Sequence, residues 1–342
     1  MTPEMPAVPV TCFDDLDAHA TFAVLGPGFR DGRVTALTGL RAPNDSGALA
    51  FALLAFEEPG AGPHHWFTGD AHTLAPPPRD GVGLEPDPLD ATGYDDAIGA
   101  IREAIHRGEV YQANFTRFVT LGRVRGREVF RALTRQGMAP YACWLRLPSG
   151  LEVVSASPEC LFRIEGHTIV SEPMKGTAKL EAERDLLASR KDDAELAMIT
   201  DLVRHELATQ AVEKTVRVLD ERRVVRLPYA LQTIARVAAE LPRGYSLEGV
   251  LAAMHPAGSV VGAPKRTALD LVRRLESAPR GPYCGTLVVR EGAKAAAGVM
   301  IRTAFRASER EPFRYGTGSG VTWSSEAARE FAELDLKVSA LR

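Results

Sequence analysis

A proline-rich segment at residues 74–90 limits how this 342-residue chain can fold. Its prolines are Pro76, Pro77, Pro78, Pro86 and Pro88. Proline has no backbone N–H and fixes φ, so the segment is excluded from the interior of a helix and from a central strand. We therefore expect it to separate an N-terminal, strand-rich piece at residues 1–90, which completes the fold, from a larger domain at residues 91–342.

Strand signals lie on both sides of this segment. Residues 141–147 and 151–156 flank the turn Pro148-Ser149-Gly150, which predicts a hairpin. Further strands are predicted at 22–25, 34–37, 49–56, 110–116, 160–164, 168–171, 286–290 and 296–305, and long helices at 192–207, 264–275 and 325–341. The predicted fold class is α/β, of the α+β sandwich type, with large, mainly antiparallel sheets flanked by helices.

Charge and hydropathy exclude several classes of protein. The 41 Lys+Arg and 44 Asp+Glu give a net charge of −3, without the cationic excess expected of a nucleic-acid-binding protein. The longest apolar run, residues 48–56, is far shorter than the roughly 20 residues that span a membrane. The first residues show no targeting signal, and the four cysteines have no metal-site spacing. A cytoplasmic enzyme is the expectation.

Two basic residues lie where an anion would suit them. Residues 258–265 form a glycine-containing loop that runs into a helix, and its free N–H groups favour a phosphate or carboxylate beside Lys265. A plain loop-to-helix turn is the alternative. Arg302 lies in an otherwise apolar strand pattern and needs an anionic partner, from the protein or from a ligand.

Two predicted helices carry acidic pairs at i, i+3, namely Asp192 with Glu195 and Glu330 with Glu333. This spacing places both carboxylates of a pair on one helix face. Solvated faces are the simpler interpretation. If the two helices face each other, the oxygen ligands suit Mg²⁺.

Three further side chains are candidates at the ends of strands. Gln112 shares a strand face with Asn114 and Thr116, which is interpreted as a solvated face or a pocket wall. Glu159 follows a tight junction between strands, and Lys175 follows a strand. A lysine is a useful nucleophile only when its surroundings favour the free amine; an exposed loop lysine is the alternative.

The order of these motifs along the chain resembles the chorismate-utilising enzymes. The matching stretches are 108–116, 157–159, 173–177, 191–195, 201–204, 258–265, 280–285, 301–303, 330–333 and Lys337. The resemblance covers the chain from about Tyr94 onwards and implies that residues 91–342 are a chorismate-binding catalytic domain.

Two positions sort the chain within that family. Family members that add water to chorismate carry a lysine where Gln112 stands, and anthranilate synthases typically carry alanine where Lys175 stands. The chain is therefore most similar to component I of aminodeoxychorismate synthases. This implies formation of 4-amino-4-deoxychorismate from chorismate and ammonia, a step of folate synthesis.

The resemblance also implies roles for individual residues. Lys175 attacks C2 of chorismate while Glu159, which needs a raised pKa, protonates the departing C4 hydroxyl. Glu195 and Glu333 hold Mg²⁺, supported by Asp192 and Glu330. The substrate-binding residues implied are Gln112, Thr177, Lys265, Tyr283, Arg302, Gly316 and Gly318.

Ammonia has to come from a partner or from solution. No cysteine lies in a glycine-flanked strand-to-helix elbow, so a separate glutamine amidotransferase subunit is the implied partner, with free ammonia as the alternative source. The chain departs from the family pattern at His205-Glu206, Gln232, Ala235 and Val261. The alternatives are an anthranilate-synthase-like component I and a non-catalytic chorismate-binding paralogue.

Overall fold

The structure is a computed structural model that describes residues 10–45, 47–58, 65–339 and 341–342. We expect no targeting signal in the first residues of the chain, and residues 1–9 lie outside the described ranges. In chain order the strands are β1 (Phe22–Leu25), β2 (Val34–Arg41), β3 (Ala50–Leu54), β4 (Thr68–Leu74), β5 (Gln112–Thr120), β6 (Tyr141–Arg146), β7 (Glu152–Ser157), β8 (Cys160–Glu165), β9 (Thr168–Glu172), β10 (Met174–Ala178), β11 (Arg217–Arg226), β12 (Leu231–Glu240), β13 (Gly262–Ala263), β14 (Thr286–Glu291), β15 (Lys294–Val299), β16 (Thr303–Arg306) and β17 (Arg314–Val321).

The helices, after a 3-10 turn at Phe13–Ala18, are α1 (Tyr94–His106), α2 (Gly126–Thr134), α3 (Glu183–Ala188), α4 (Arg190–Ala208), α5 (Leu247–Met254), α6 (Gly258–Val261), α7 (Lys265–Leu275) and α8 (Ala327–Ser339). Among the described residues none of these helices is both long and apolar enough to cross a membrane.

Two large sheets organise these elements. Within the described ranges, the first sheet has the order β13-β5-β17-β16-β7-β6-β1-β2-β4 and the second β10-β12-β9-β8-β15-β14-β3, with β11 paired to β12. The strand pairs that make up both sheets are antiparallel, so the predicted fold class is confirmed. Strands that precede the proline-rich segment belong to both sheets: β1, β2 and β4 to the first, and β3 to the second.

A buried apolar cluster joins the two sheets. Leu25 and Cys143 of the first sheet pack in it with Phe51 and Leu287 of the second. A second cluster covers the other face of the first sheet, where Phe130 of α2 stacks on Trp144. Burial of such side chains contributes about 1.5–3 kcal/mol each and fixes which face of every strand points inward.

The proline-rich segment and the hairpin at residues 141–156 are as predicted. Between the end of β4 at Leu74 and the start of α1 at Tyr94 there is no helix or strand. In the hairpin, Tyr141 pairs with Ser157 and Arg146 with Glu152 around a turn that contains Gly150 at φ 88°. Only glycine adopts this conformation without strain.

Two local predictions are wrong. The strand predicted at 296–305 is divided into β15 and β16, because Arg302 has a left-handed φ of 51° and the chain crosses from the second sheet to the first at that point. The polar face of β5 is not solvated: Gln112, Asn114 and Thr116 are 1%, 8% and 3% exposed. Neighbouring elements cover both faces of β5, which a strand pattern alone does not reveal.

Candidate active site

Lys175 lies on β10, beside α4. Its Nζ is 3.5 Å from Glu195 Oε2, and only 14% of its side chain is exposed, so the exposed-loop interpretation is wrong. Gly176, at φ 71°, accompanies a register shift between β10 and β12, and a Cβ there would lie 3.0 Å from Asp192 Cγ. The glycine therefore lets the strand approach α4 closely enough for Lys175 to reach its carboxylates.

Glu159 occupies the short connection between β7 and β8 and is 5% exposed. Its backbone N–H donates to Ser157 Oγ at 3.2 Å, and its Oε1 accepts a hydrogen bond from Ser259 Oγ at 2.5 Å. Burial raises the pKa of Glu159 to about 7, against the opposing effects of the Ser259 hydrogen bond and the charge of Lys175. The carboxyl therefore holds a proton for a substantial fraction of the time near neutral pH, as a general acid must.

Gln112 and Lys175 both lie near Gly320 of the glycine-rich strand β17. Strand β17 pairs with β5, and in this register Gly320 is opposite Asn114 of β5. A Cβ at Gly320 would overlap Gln112 Nε2 and lie 3.7 Å from Lys175 Nζ, so the amide and the amine share one small space. Gln112 Oε1 is buried and has no hydrogen-bond partner among the described residues, so the side chain retains an unsatisfied acceptor.

The two acidic helices do face each other. Ser189 Oγ caps α4 by accepting the Asp192 N–H, which sets the start of the helix that carries Glu195. Lys191 Nζ lies 3.9 Å from both Glu195 Oε1 and Glu330 Oε1 and so bridges α4 and α8. Glu330 is 4% exposed and the Glu195 side chain 13%, so the interpretation as a solvated face is wrong for these two residues; the Glu333 side chain remains 43% exposed.

Lysines balance these carboxylates. Burial opposes ionisation of Glu333, but the charges of Lys337, Lys191 and Lys175 outweigh it and lower the pKa of Glu333. No three His, Cys, Asp or Glu side chains in the described part of the chain converge as a metal site. The candidate metal ligands are carboxylate oxygens, and the buried Glu330 Oε2 has no hydrogen-bond partner within the described ranges. This set fits Mg²⁺, which uses one or two protein carboxylates and takes its other ligands from water and an anionic substrate.

Tyr283 and Arg302 each pack against a different neighbour: Tyr283 against a glycine of β17 and Arg302 against an aromatic ring. The ring of Tyr283 packs so tightly on Gly316 that any Cβ there would overlap it, and a Cβ on Gly318 would lie 2.9 Å from Thr116 Cγ2. The Arg302 guanidinium lies 4.5 Å from the centroid of the Tyr229 ring. Within the described ranges it has no ion-pair partner, so the structural ion pair considered from the sequence is not found.

The structure does not bring Lys265 into contact with Lys175 or Glu159. Its Nζ lies 2.7 Å from Glu206 Oε1, 3.1 Å from the Ala253 carbonyl and 3.3 Å from the Met254 carbonyl. These three acceptors satisfy the three ammonium hydrogens. Thr177 is exposed, two residues beyond Lys175, and its Oγ1 accepts from Gln232 Nε2 at 3.2 Å.

Sequence reasoning missed three residues of this region: Ser259, Glu206 and Tyr229. Ser259 belongs to the 258–265 motif, and its hydroxyl could have marked it as a candidate hydrogen-bonding residue of the site. Glu206 was noted as a departure from a family pattern but not as the partner of Lys265. Tyr229 carries no local signal, because it comes from the turn between β11 and β12.

Comparison with known proteins gives a family match and named relatives. The chorismate binding enzyme family matches residues 49–342, which begins well before residue 91. An anthranilate synthase component 1 from Haloarcula marismortui is 34% identical over 70% of this chain and 50% of its own length. An aminodeoxychorismate synthase component 1 from Klebsiella aerogenes is 31% identical over 72% of this chain and 56% of its own length. The chain thus spans about half the length of the curated relatives it matches.

The fold has solved counterparts as well. The menaquinone-specific isochorismate synthase from Escherichia coli superposes with a TM-score of 0.75 over 94% of this chain and 87% of its own, at 17% identity. At that identity the likeness concerns the fold alone.

Proposed function

The chain belongs to the chorismate binding enzyme family, and from this premise we propose that it is an aminodeoxychorismate synthase component I. In this proposal it converts chorismate and ammonia to 4-amino-4-deoxychorismate and water. The observation that supports the proposal is that Gln112 Nε2 and Lys175 Nζ lie beside Gly320, while burial raises the pKa of Glu159 to about 7 against the charge of Lys175.

The proposed reaction has two displacements that use these side chains. The free amine of Lys175 attacks C2, the ring double bond shifts, and the C4 hydroxyl leaves as water with the proton of Glu159. Ammonia then attacks C4, the double bond shifts back, and the bond from C2 to Lys175 breaks. The proton lost by ammonia returns to Glu159, which restores the acid.

Substrate anchoring is assigned to three sets of groups. Arg302 has no protein anion of its own in the described ranges, so it is free to hold a carboxylate of chorismate. Glu195 and Glu333 would hold Mg²⁺, supported by Asp192 and Glu330, and the ion would supply positive charge against a substrate carboxylate. Tyr283 and the β17 glycines Gly316 and Gly318 form a wall that has no space for further side-chain atoms.

The proposed reaction also requires a source of ammonia. The names of the relatives include "component 1", which is consistent with a second component. We propose a glutamine amidotransferase subunit as that partner, with free ammonia as the substitute in its absence.

Anthranilate synthase activity is the second candidate, and the names of the relatives favour it. Most of the relatives compared are called anthranilate synthase component 1, among them a Saccharolobus solfataricus protein that is 29% identical over 76% of this chain. The comparisons therefore support anthranilate synthase activity at least as well as aminodeoxychorismate synthase activity. Lys175 is the feature that sets the two apart, since the resemblance places alanine there in anthranilate synthases.

Product identity decides between the candidates. Purified protein is incubated with chorismate, Mg²⁺ and an ammonium salt, and the products are separated by chromatography and identified by mass. We expect 4-amino-4-deoxychorismate without release of pyruvate. Anthranilate with stoichiometric pyruvate would establish the second candidate, and chorismate binding without turnover would establish a non-catalytic paralogue.

A further inference from the structure

Tyr229 extends the site beyond the residues assigned above. It lies in the turn between β11 and β12, which is closed by a hydrogen bond from the Leu227 N–H to the Ala230 carbonyl at 2.8 Å. This turn holds the Tyr229 ring over the guanidinium of Arg302, 4.5 Å from its carbon to the ring centroid. A cation held over an aromatic face is attracted to it, so the two side chains orient each other.

The backbone of Arg302 is fixed from the other side. Its left-handed φ of 51° is unfavourable for a residue with a Cβ. Its carbonyl accepts from the Ala156 N–H at 3.1 Å, and the neighbouring Ile301 carbonyl accepts from Ser155 Oγ at 3.0 Å. The arginine is therefore held by its backbone on one side and by Tyr229 on the other, yet its charge has no anionic partner within the described ranges.

The Tyr229 hydroxyl is the second group without a partner. Its oxygen is shielded from solvent and has no hydrogen-bond partner in the part of the chain that the structure describes. Burial raises the pKa of this phenol against the opposing charge of Arg302, so the hydroxyl remains a neutral donor. A buried donor without an acceptor is unfavourable unless a ligand completes it.

We propose that Tyr229 is a substrate-binding residue whose hydroxyl donates a hydrogen bond to the carboxylate that Arg302 holds. The guanidinium supplies only N–H donors and the phenol supplies an O–H donor, whereas a carboxylate supplies only acceptors in a planar pair that matches the arginine fork. The inference rests on the proposed function, in which the ligand is chorismate, a dicarboxylate.

Tyr229→Phe tests this assignment, because it removes the hydroxyl and keeps the ring over Arg302. Chorismate binding is measured by titration calorimetry with Mg²⁺ and without ammonium, with Tyr229 and the Tyr229→Phe variant compared in a Lys175→Ala background that forms no covalent adduct, and KM and kcat are measured with ammonium in proteins that retain Lys175. We expect binding to weaken about tenfold, with KM raised more than kcat is lowered. Because the hydroxyl has no partner in the free protein, we expect the thermal midpoint of the variant to equal or exceed that of the wild type.

Tyr245→Phe is the matched control, since Tyr245 packs against the ring of His167 and has no contact with Arg302. It should bind chorismate as the wild type does. In Arg302→Gln, adding Tyr229→Phe should weaken binding further by less than threefold, because the shared carboxylate is no longer held in place.

The outcomes separate the two levels of the argument. If wild type and Tyr229→Phe bind chorismate equally, the Tyr229 assignment is wrong and the proposed function stands. A lowered thermal midpoint with unchanged affinity assigns the hydroxyl to the fold and also overturns it. Absence of chorismate binding by the wild type overturns the proposed function together with the inference.

Discussion

Ser259 Oγ lies 2.5 Å from Glu159 Oε1, and both side chains are buried. The bond joins residues 100 positions apart, one on the connection between β7 and β8 and the other on α6. Because the serine donates, it stabilises the ionised carboxylate and so limits how far burial raises the pKa of Glu159.

Ser259→Ala should therefore raise the pKa of Glu159 further. A hydrogen bond of about 1 kcal/mol corresponds to a shift of roughly 0.7 pKa units. Since the general acid must be protonated, the alkaline limb of the pH profile of kcat/KM should move to higher pH by about that amount. Ser259→Thr keeps the donor and should restore the wild-type limb; an alkaline limb that does not move in the alanine variant would contradict the role of Ser259.

Glu159→Gln should abolish most activity while changing stability in a pH-dependent way. Loss of a general acid lowers kcat by about 10²–10⁴. The folded-state pKa of about 7 lies above the ordinary 4.5, so the folded wild type binds a proton more tightly than the unfolded chain does. Its stability should fall as pH rises from about 4.5 to 7, by up to about 3 kcal/mol.

The glutamine variant lacks this titration. Urea unfolding should show it to be more stable than the wild type at pH 8, with the advantage shrinking towards pH 4. Glu165→Gln is the control, because the Glu165 side chain is 80% exposed and should show no such trend. A stability difference that is constant across pH would exclude a perturbed Glu159.

Lys175→Ala should remove the covalent intermediate. With chorismate and Mg²⁺ but no ammonium, the second displacement is blocked, and intact-mass measurement should detect wild type carrying chorismate less one water. Lys191→Ala is a demanding control, since Lys191 also lies near Glu195 but is half exposed. It should keep the adduct. Detection of the same adduct in Lys175→Ala would remove Lys175 as the nucleophile.

Gly320→Ala should impair turnover more than stability. Its Cβ would overlap Gln112 Nε2, the end of a side chain that is itself 1% exposed and has little room to move. We expect kcat to fall at least about tenfold, since misplacing a positioned group by about 1 Å is enough to do so. Gly99→Ala on the exposed side of α1 meets nothing within 4 Å and should leave kcat unchanged.

Features of the fold that depend on neighbouring residues were predictable from the sequence. The β6–β7 hairpin follows from its strand pattern around a Pro-Ser-Gly turn, and α4 from its helical pattern at 192–207. The split of β15 from β16 was not, because the left-handed φ of Arg302 arises where the chain passes between sheets and has no glycine to signal it. Burial of β5 likewise depends on its strand neighbours β13 and β17 and on the packing of α6 and α7, which come from distant parts of the chain.

The residues of the site also divide into those that the sequence predicts and those that it does not. Residue types and order indicated Lys175, Glu159 and the two acidic helices, because a family resemblance carries them together. The partners of these residues did not follow from the resemblance: Ser259 of α6 meets Glu159, and Lys265 at the start of α7 meets Glu206 of α4 across 59 positions. Long-range pairing of this kind is set by tertiary packing, which a one-dimensional pattern does not contain.

Lys265 at the start of α7 contacts Glu206 of α4. They form a largely buried ion pair at 2.7 Å, with side chains 20% and 7% exposed, and the same ammonium holds the carbonyls of Ala253 and Met254 at the end of α5. Burial raises the pKa of Glu206, against the charge and hydrogen bond of Lys265. The pair therefore ties α4 and α5 to the start of α7, next to the segment that carries Ser259.

Lys265→Met should destabilise the protein by about 3–5 kcal/mol, because Glu206 is left buried without its counter-charge. Adding Glu206→Leu removes that charge and should recover much of the lost stability in urea unfolding. Lys294→Met, which breaks the exposed pairs with Asp31 and Glu165, should leave the unfolding free energy close to that of the wild type. If Lys265 instead contacts the substrate, as the family resemblance implies, Lys265→Met should raise the KM for chorismate while leaving the unfolding free energy close to wild type. The double variant separates the two roles. If both the stability and the KM return towards wild type, Lys265 has a structural role only. If the stability recovers but the KM stays raised, the charge of Lys265 also contributes to substrate binding.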